Sequence, residues 1–305
     1  MVTDTWIITS YFNPRRYKNK KFNFDIFLSN LNSLKANLLV VEMAFENGHF
    51  ELEPKVDVIR LEGNGIMWQK ERLLNIAIAN LPSSCKKVAW LDCDLLFENE
   101  DWLQETSNAL DQFAAVQPFS TCVRLPRGHL EFQGHGIIAE SFASVYARDP
   151  WPSRNDHYFV HGHTGFAWAA RREVLDYCGL YDACLTGSGD HLMAHAFAGA
   201  LNSPCIPAMI GSGHKYEAHF RQWAEKLDNL VKGSLGCVDG RVLHLWHGEK
   251  FDRQYRQRNQ EFKTFDFDPD RDIRRDGNGL WEWREAPATM RTWANEMFIS
   301  RNEEG

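Results

Sequence analysis

The feature that most constrains this chain is an alternation of short apolar runs with helix-spaced segments over its first 120 residues or so. Thr5–Tyr11 (TWIITSY) is apolar and rich in β-branched residues, so it reads as a buried strand. Asn13-Pro14 then turns the chain. Phe24, Phe27, Leu28, Leu31 and Leu34 recur at helical spacing. Leu38–Val41, ending in Glu42, and Val56–Leu61 are further strands. Met67–Leu81 is a helix whose stripe is Leu73, Leu74, Ala77 and Ile78, and Pro82 follows its end. Lys87–Leu91 is a fourth strand. This order predicts an α/β fold, an open and mainly parallel sheet flanked by helices.

The fourth strand runs directly into Asp92-Cys93-Asp94, with Leu95-Leu96-Phe97 beyond. On an extended backbone, carboxylates spaced i, i+2 share one side. Two like charges beside an apolar strand are costly without a positive partner. A divalent cation bridging a nucleotide diphosphate supplies one, and Mg²⁺ and Mn²⁺ favour such oxygen ligands. Open α/β sheets also bind ligands beyond the carboxyl ends of their strands, where this triplet lies.

After Pro118 the pattern loosens, and residues 120–163 read as a long irregular connection. Order returns at Thr164–Ala169. A helix over Arg171–Cys178 is stopped by Gly179. Helices near Asp190, over Glu217–Lys232 and over Lys250–Phe265, and a strand at Val242–His247, complete the reading. It divides the chain into a nucleotide-binding half (1–118), an acceptor half (119–265) of the same domain, and a C-terminal extension (266–305).

Four blocks resemble the β1,4-galactosyltransferase family and related family 2-like glycosyltransferases of the GT-A type. They are Lys70-Glu71-Arg72-Leu73-Leu74-Asn75, the strand ending in Asp92-Cys93-Asp94, Gly165–Leu175 with Gly179-Leu180-Tyr181-Asp182 and Gly187-Ser188-Gly189-Asp190-His191, and Val242–His247. The resemblance spans roughly residues 65–260 and implies a GT-A (Rossmann-like) fold with a nucleotide-sugar donor, a UDP-sugar in first place. It implies Asp94 as a metal ligand for Mn²⁺ or Mg²⁺ and Asp92 as a donor contact. From the residues alone, both carboxylates are candidate ligands. The family's late-strand histidine, a further ligand, matches His244 or His247. Three apart on a strand, these two point to opposite faces, so one suffices.

Where the family has Glu-Asp, this chain has Asp190-His191. Either side chain is a candidate base for the acceptor hydroxyl. Asp190 is preferred, with a helix N-cap as its structural alternative. Thr9, Ser10, Tyr11 and Asn13 at the end of the first strand, and Glu42 at the end of the second, are placed to dock the donor's base and ribose. Lys70 and Arg72 are placed to meet phosphates. Trp168 is either the floor of a sugar site or core.

The net charge of −7 argues against a whole-body grip on nucleic acid. Local basic groups remain: Arg15, Arg16, Lys18, Lys20 and Lys21, then Arg253, Arg256 and Arg258, and Arg271, Arg274 and Arg275 beside Trp281 and Trp283. They keep a hydroxymethylated DNA base open as acceptor beside a glycan or lipid-linked precursor. The seven cysteines form no CxxC pair, against a zinc ribbon or disulfide framework and for a reducing compartment. With no apolar run of membrane length, a cytoplasmic protein is expected. GxGxxG, GxxxxGK[ST] and GxSxG are absent. A nucleotidyltransferase on a similar sheet is the runner-up, although SYFNPRRYK lacks the glycines of its usual loop. A GT-A-like binding module without catalysis is the third reading.

Overall fold

The computed structural model describes residues 3–32, 34, 36–45, 48–53, 56–154 and 158–304. In chain order the first half is β1 (Thr5–Phe12), α1 (Lys18–Asn32), β2 (Asn37–Phe45), β3 (Asp57–Gly63), α2 (Lys70–Asn80), β4 (Lys87–Leu91), β5 (Leu95–Phe97), α3 (Trp102–Leu110) and β6 (Ala115–Gln117). There follow β7 (Thr121–Arg124), β8 (Ile137–Glu140), α4 (Phe142–Arg148), α5 (Tyr158–His161), β9 (Ala167–Arg171), α6 (Arg172–Cys178), α7 (Gly189–Phe197) and α8 (Cys205–Ile210). The chain closes with α9 (Lys215–Val231), β10 (Leu235–Cys237), β11 (Arg241–His244), α10 (Tyr255–Lys263), α11 (Pro269–Asp272), β12 (Ile273–Arg275), β13 (Trp281–Trp283) and α12 (Ala288–Ser300).

The central sheet has seven strands in the order β10-β6-β9-β4-β1-β2-β3. Only β9 runs against its neighbours β4 and β6; the other pairs are parallel. A mixed, mainly parallel sheet flanked by helices is the fold expected from the sequence. Both faces are covered, which is why β1 and β2 read as continuous apolar runs. Ile8, Phe12, Val41 and Met43 pack on one side with Leu73, Leu74, Ala77 and Ile78 of α2. Ile7, Tyr11 and Val40 pack on the other with Phe24, Phe27, Leu28 and Leu31 of α1. Among the described residues, no helix is long and apolar enough to cross a membrane.

Residues 120–163 are not an irregular connection: they hold β7, β8, α4 and α5. These elements are too short to show a period, and β8 is largely exposed, so it lacks the apolar alternation of a half-buried strand. β7 and β8 join a second, four-stranded sheet of order β5-β11-β7-β8. The pairing of β11 with β5 is antiparallel and sets His244 opposite Leu95, while Leu245 N–H donates to the Asp94 carbonyl at 2.9 Å. The chain after β11 is thereby fixed beside the acidic triplet. β11 stops at His244, short of the strand expected to reach His247, and α10 begins only at Tyr255, after a single 3₁₀ turn at Phe251–Arg253.

The segment after residue 265 packs back over the first half. Phe298 of α12 stacks on Trp68 (6.2 Å) and meets Phe12 edge-on (6.1 Å), and Arg15 donates to Asn295 Oδ1 at 2.6 Å.

Candidate active site

Asp92-Cys93-Asp94 forms a turn between β4 and β5 rather than extended strand. The turn parts the two carboxylates that an extended backbone would align. Asp94 faces the end of β11: His247 Nδ1 lies 3.1 Å from its Oδ2, and His244 Nε2 lies 3.6 Å from its Oδ1. The three side chains form one group whose candidate ligand atoms lie within 4.8 Å of one another. Because the strand ends at His244, His247 escapes strand alternation, and both imidazoles reach Asp94 instead of opposite faces.

The donor set fits a divalent cation. Asp94 Oδ1 is buried without a hydrogen-bond partner of good geometry. Burial holds both imidazoles well below their ordinary pKa, against the pull of Asp94 on His244 and of Glu303 on His247. Neutral imidazole is the form that ligates.

Asp92 turns instead toward Lys70, the first residue of α2. The Lys70 ammonium bridges Asp92 Oδ1 at 2.5 Å and Asp190 Oδ2 at 2.8 Å. Burial opposes the charge on Lys70, but Asp190, Asp92 and Glu71 outweigh it and hold its pKa well above the usual value. Burial raises both carboxyls, with Lys70 working against the rise. Lys70 therefore ties the acidic triplet to the start of α7.

Asp190 is not the N-cap of α7; Ser188 occupies that position, and the Asp190 carboxylate is directed at Lys70. Gly189 is required by a close approach: a Cβ there would stand 2.6 Å from Glu71 Oε1. His191, one residue on, joins a different group of side chains, His161, His195 and Cys205, and so is not gathered with Asp190 at the acidic triplet.

The other expected residues fall as follows. Arg72 pairs with Asp182 at 2.8 Å beside the Trp281 ring and is not gathered at the triplet. Lys70 and Arg72 are two apart, and residues at that spacing do not share a helix face. Trp168 is 1% exposed and packs on Phe197, so it is core and no sugar floor. Glu42 lies within β2, almost wholly buried, where it accepts the Leu52 N–H (2.9 Å) and pairs with Arg60 (3.3 Å). It braces the loop after β2. Thr9 is buried, and its hydroxyl donates to the Leu91 carbonyl at 2.7 Å.

Tyr11 and Asn13 converge on Glu51, which sequence reasoning missed: Tyr11 Oη donates to Glu51 Oε2 at 2.5 Å and Asn13 Nδ2 at 3.0 Å. With Glu42, Pro14, Arg16 and His49 they line a small cleft at the ends of β1 and β2.

Around His247 lies a group of buried cations. Arg253 donates to the His247 carbonyl, and its Nη1 lies 3.3 Å from Glu303, which Arg301 also holds at 2.8 Å. Arg258 is 3% exposed, and Nε, Nη1 and Nη2 all lack hydrogen-bond partners of good geometry. Burial, then Arg301, push its pKa down to about 10. Arg253 and Arg258 thus cannot present a surface patch to DNA. Lys20, from the basic run at the start of α1, sits over the Phe12 ring at 5.0 Å, and its charge acts on Asp92. The visible signal for these arginines was their number, read as surface charge.

Phe166 has φ +82°, a strained conformation for a bulky residue. Its carbonyl accepts the Asp92 N–H at 2.8 Å, and its ring stacks between His163 (4.0 Å) and His244 (4.4 Å).

No protein-family model matches the chain, and no curated protein matches it. Among solved structures it is similar to S. aureus TarS in complex with UDP-GlcNAc, at 13% identity over 66% of this chain and 54% of that one, TM-score 0.35. It is also similar to a Drosophila β1,4-galactosyltransferase 7 complexed with manganese, UDP-Gal and xylobiose, at 12% identity over 64% of this chain and 61% of that one, TM-score 0.33. A third is 4-diphosphocytidyl-2C-methyl-D-erythritol synthase from Anaerococcus prevotii, at 11% identity over 77% of this chain and 86% of that one, TM-score 0.34. The chain thus spans less than two thirds of the length of the first two.

Proposed function

We propose that the chain is a glycosyltransferase of the GT-A type, moving a sugar from a nucleotide-sugar, a UDP-sugar in first place, to an acceptor hydroxyl. One observation carries this reading: two imidazoles from the end of β11 converge on Asp94 at the carboxyl end of the central sheet. Asp94, His244 and His247 would hold a divalent cation. One carboxylate with two imidazoles is softer than an all-oxygen set, which favours Mn²⁺ over Mg²⁺. When bound, the ion would offset charge on a leaving diphosphate.

The remaining roles follow from the chain's own groups. Arg258 carries buried guanidinium N–H groups without hydrogen-bond partners of good geometry, and a diphosphate would supply acceptors of the right charge. Asp92, held by Lys70, faces the donor. Asp190 takes the acceptor proton; burial raises its carboxyl toward the range of a general base, and Lys70 works against the rise. The cleft lined by Tyr11, Asn13 and Glu51 receives the base and ribose, at the edge where open α/β sheets bind ligands. The acceptor that best suits the burial of Arg253 and Arg258 is a glycan or lipid-linked hydroxyl rather than a DNA base.

The test is nucleotide release from a panel of UDP-, GDP- and CMP-sugars, with Mn²⁺ and with chelator, in the wild type and in Asp94→Ala. Metal-dependent release from one donor, lost in the variant, is expected. A panel with no release from any donor overturns the proposal.

A further inference from the structure

Behind α7, apart from the Asp94 group, four ligand-type side chains meet in the interior: His161 at the end of α5, His191 and His195 on α7, and Cys205 at the start of α8. Their candidate ligand atoms all lie within 4.8 Å of one another. We propose that they form a closed zinc site with three imidazoles and one thiolate.

The spacing fits the ion. Zn–N bonds of about 2.0–2.1 Å and a Zn–S bond of about 2.3 Å put tetrahedral nitrogens roughly 3.4 Å apart and nitrogen to sulfur roughly 3.6 Å apart. Cys205 Sγ lies 3.6 Å from His161 Nε2. The rings of His161, His191 and His195 stand 5.0–5.1 Å apart between centroids. His191 and His195 are four apart on one helix, the spacing that brings two imidazoles to the same face.

Hydrogen bonding points the same way. His161 Nδ1 lies 2.9 Å from the Gly162 carbonyl. A proton on Nδ1 donates there and leaves the Nε2 lone pair facing the cluster, the orientation common for metal-bound imidazoles. His191 Nε2 and the ring nitrogens of His195 are buried without hydrogen-bond partners of good geometry, apart from an interaction of His195 with the Ser153 backbone. Such groups cost about 1–3 kcal/mol each when left unsatisfied. One nitrogen from each imidazole and the Cys205 sulfur fall within 4.8 Å of one another, so a cation would satisfy nitrogens that the protein leaves poorly bonded. The thiolate and imidazole donors select zinc over magnesium or calcium.

Four protein ligands leave no open position, so the site is structural. It would pin α5, α7 and α8 together immediately behind Asp190. The inference stands apart from the sugar-transfer reading, because its readout is metal content rather than turnover.

The experiment uses the full chain carrying Asp94→Ala, which disables the other metal group. The protein is purified with zinc present and dialysed against a mild chelator, and its zinc is measured. One zinc per chain is expected, falling to near none in Cys205→Ser and in His195→Ala. Cobalt(II) in its place should give the intense visible bands of a tetrahedral ion and a sulfur-to-cobalt charge-transfer band, the latter lost in Cys205→Ser. Zinc absent from the Asp94→Ala chain, or a cobalt spectrum without the thiolate band, overturns the site even where the Cys205 and His195 variants fail to fold. So does zinc retained in full by folded Cys205→Ser.

Discussion

His247 Nδ1 lies 3.1 Å from Asp94 Oδ2, although the two residues come from opposite halves of the chain. The contact exists because β11 pairs antiparallel with β5, which fixes the backbone after His244 against the acidic turn. Replacing Asp94, His244 or His247 by Ala should weaken Mn²⁺ binding in each case. Donor turnover should fall by roughly 10²–10³-fold, the rate equivalent of a lost electrostatic contact of about 3–4 kcal/mol. Titration of Mn²⁺ against nucleotide release checks this; a His247→Ala chain with unchanged metal dependence would remove His247 from the ligand set.

Lys70 stands between Asp92 and Asp190, 2.5 and 2.8 Å from their carboxylates. Lys70→Met should leave two half-buried carboxyls facing each other without a cation. A loss of about 3–5 kcal/mol in unfolding free energy is expected, the range for breaking a buried ion pair. Asp190→Asn should keep donor binding while turnover to acceptor falls, a loss in kcat with KM for the donor held. Denaturant unfolding and steady-state kinetics read the two effects separately.

Burial raises the Glu71 carboxyl to about 8, with Lys70 opposing and Asp190 adding to the rise. The folded chain therefore binds a proton there that the unfolded chain releases near its ordinary value. Stability should fall as pH rises from about 4.5 toward 8, by a total on the order of a few kcal/mol. Glu71→Gln should flatten that part of the profile and gain over the wild type at pH 8. Thermal melts at pH 5 and pH 8 measure it; equal slopes in the two proteins would refute the assignment.

Glu303 has the opposite sign. It is 3% exposed, and although burial raises it, Arg301 and Arg253 hold its carboxyl well below the usual range. Its contribution is fully present above the ordinary glutamate value and is lost as pH falls through the depressed one. Glu303→Gln should cost about 3–5 kcal/mol at neutral pH by leaving Arg253 and Arg301 unpaired. The deficit should shrink in strong acid. Urea unfolding at pH 7 and at pH 3 tests this.

Trp168→Ala should behave as a core deletion, not a site lesion. The side chain is 1% exposed, and its indole N–H donates to the Thr164 carbonyl at 2.8 Å. A loss of about 3–5 kcal/mol is expected, with donor KM unchanged in whatever fraction remains folded. A selective rise in KM would restore a role in sugar binding.

The strands and helices of the first half were legible because β1, β2 and β4 are apolar on both faces and α2 carries a helical stripe ending before Pro82. Residues 120–163 were not, because β7, β8, α4 and α5 are each too short for a period to emerge. Asp92, Asp94, His244 and His247 were singled out from their order along the chain, and folding gathers the last three into one group. Glu51 carried no signal: a lone glutamate after a strand is ordinary until Tyr11 and Asn13 are seen to close on it. Arg253 and Arg258 were seen as charges, but their burial was invisible.

The α/β class, the mainly parallel sheet and the acidic triplet after β4 could be read from residue order, because period and composition are local properties of a chain. Packing in three dimensions chose which polar groups meet. It gave Lys70, not Arg72, to Asp92 and Asp190, sent His191 to His161, His195 and Cys205, and brought both late histidines to Asp94. Those pairings depend on strand register, on where β11 stops and on which face of α2 and α7 turns inward. They are set by packing between segments far apart in the chain, and no local pattern encodes them.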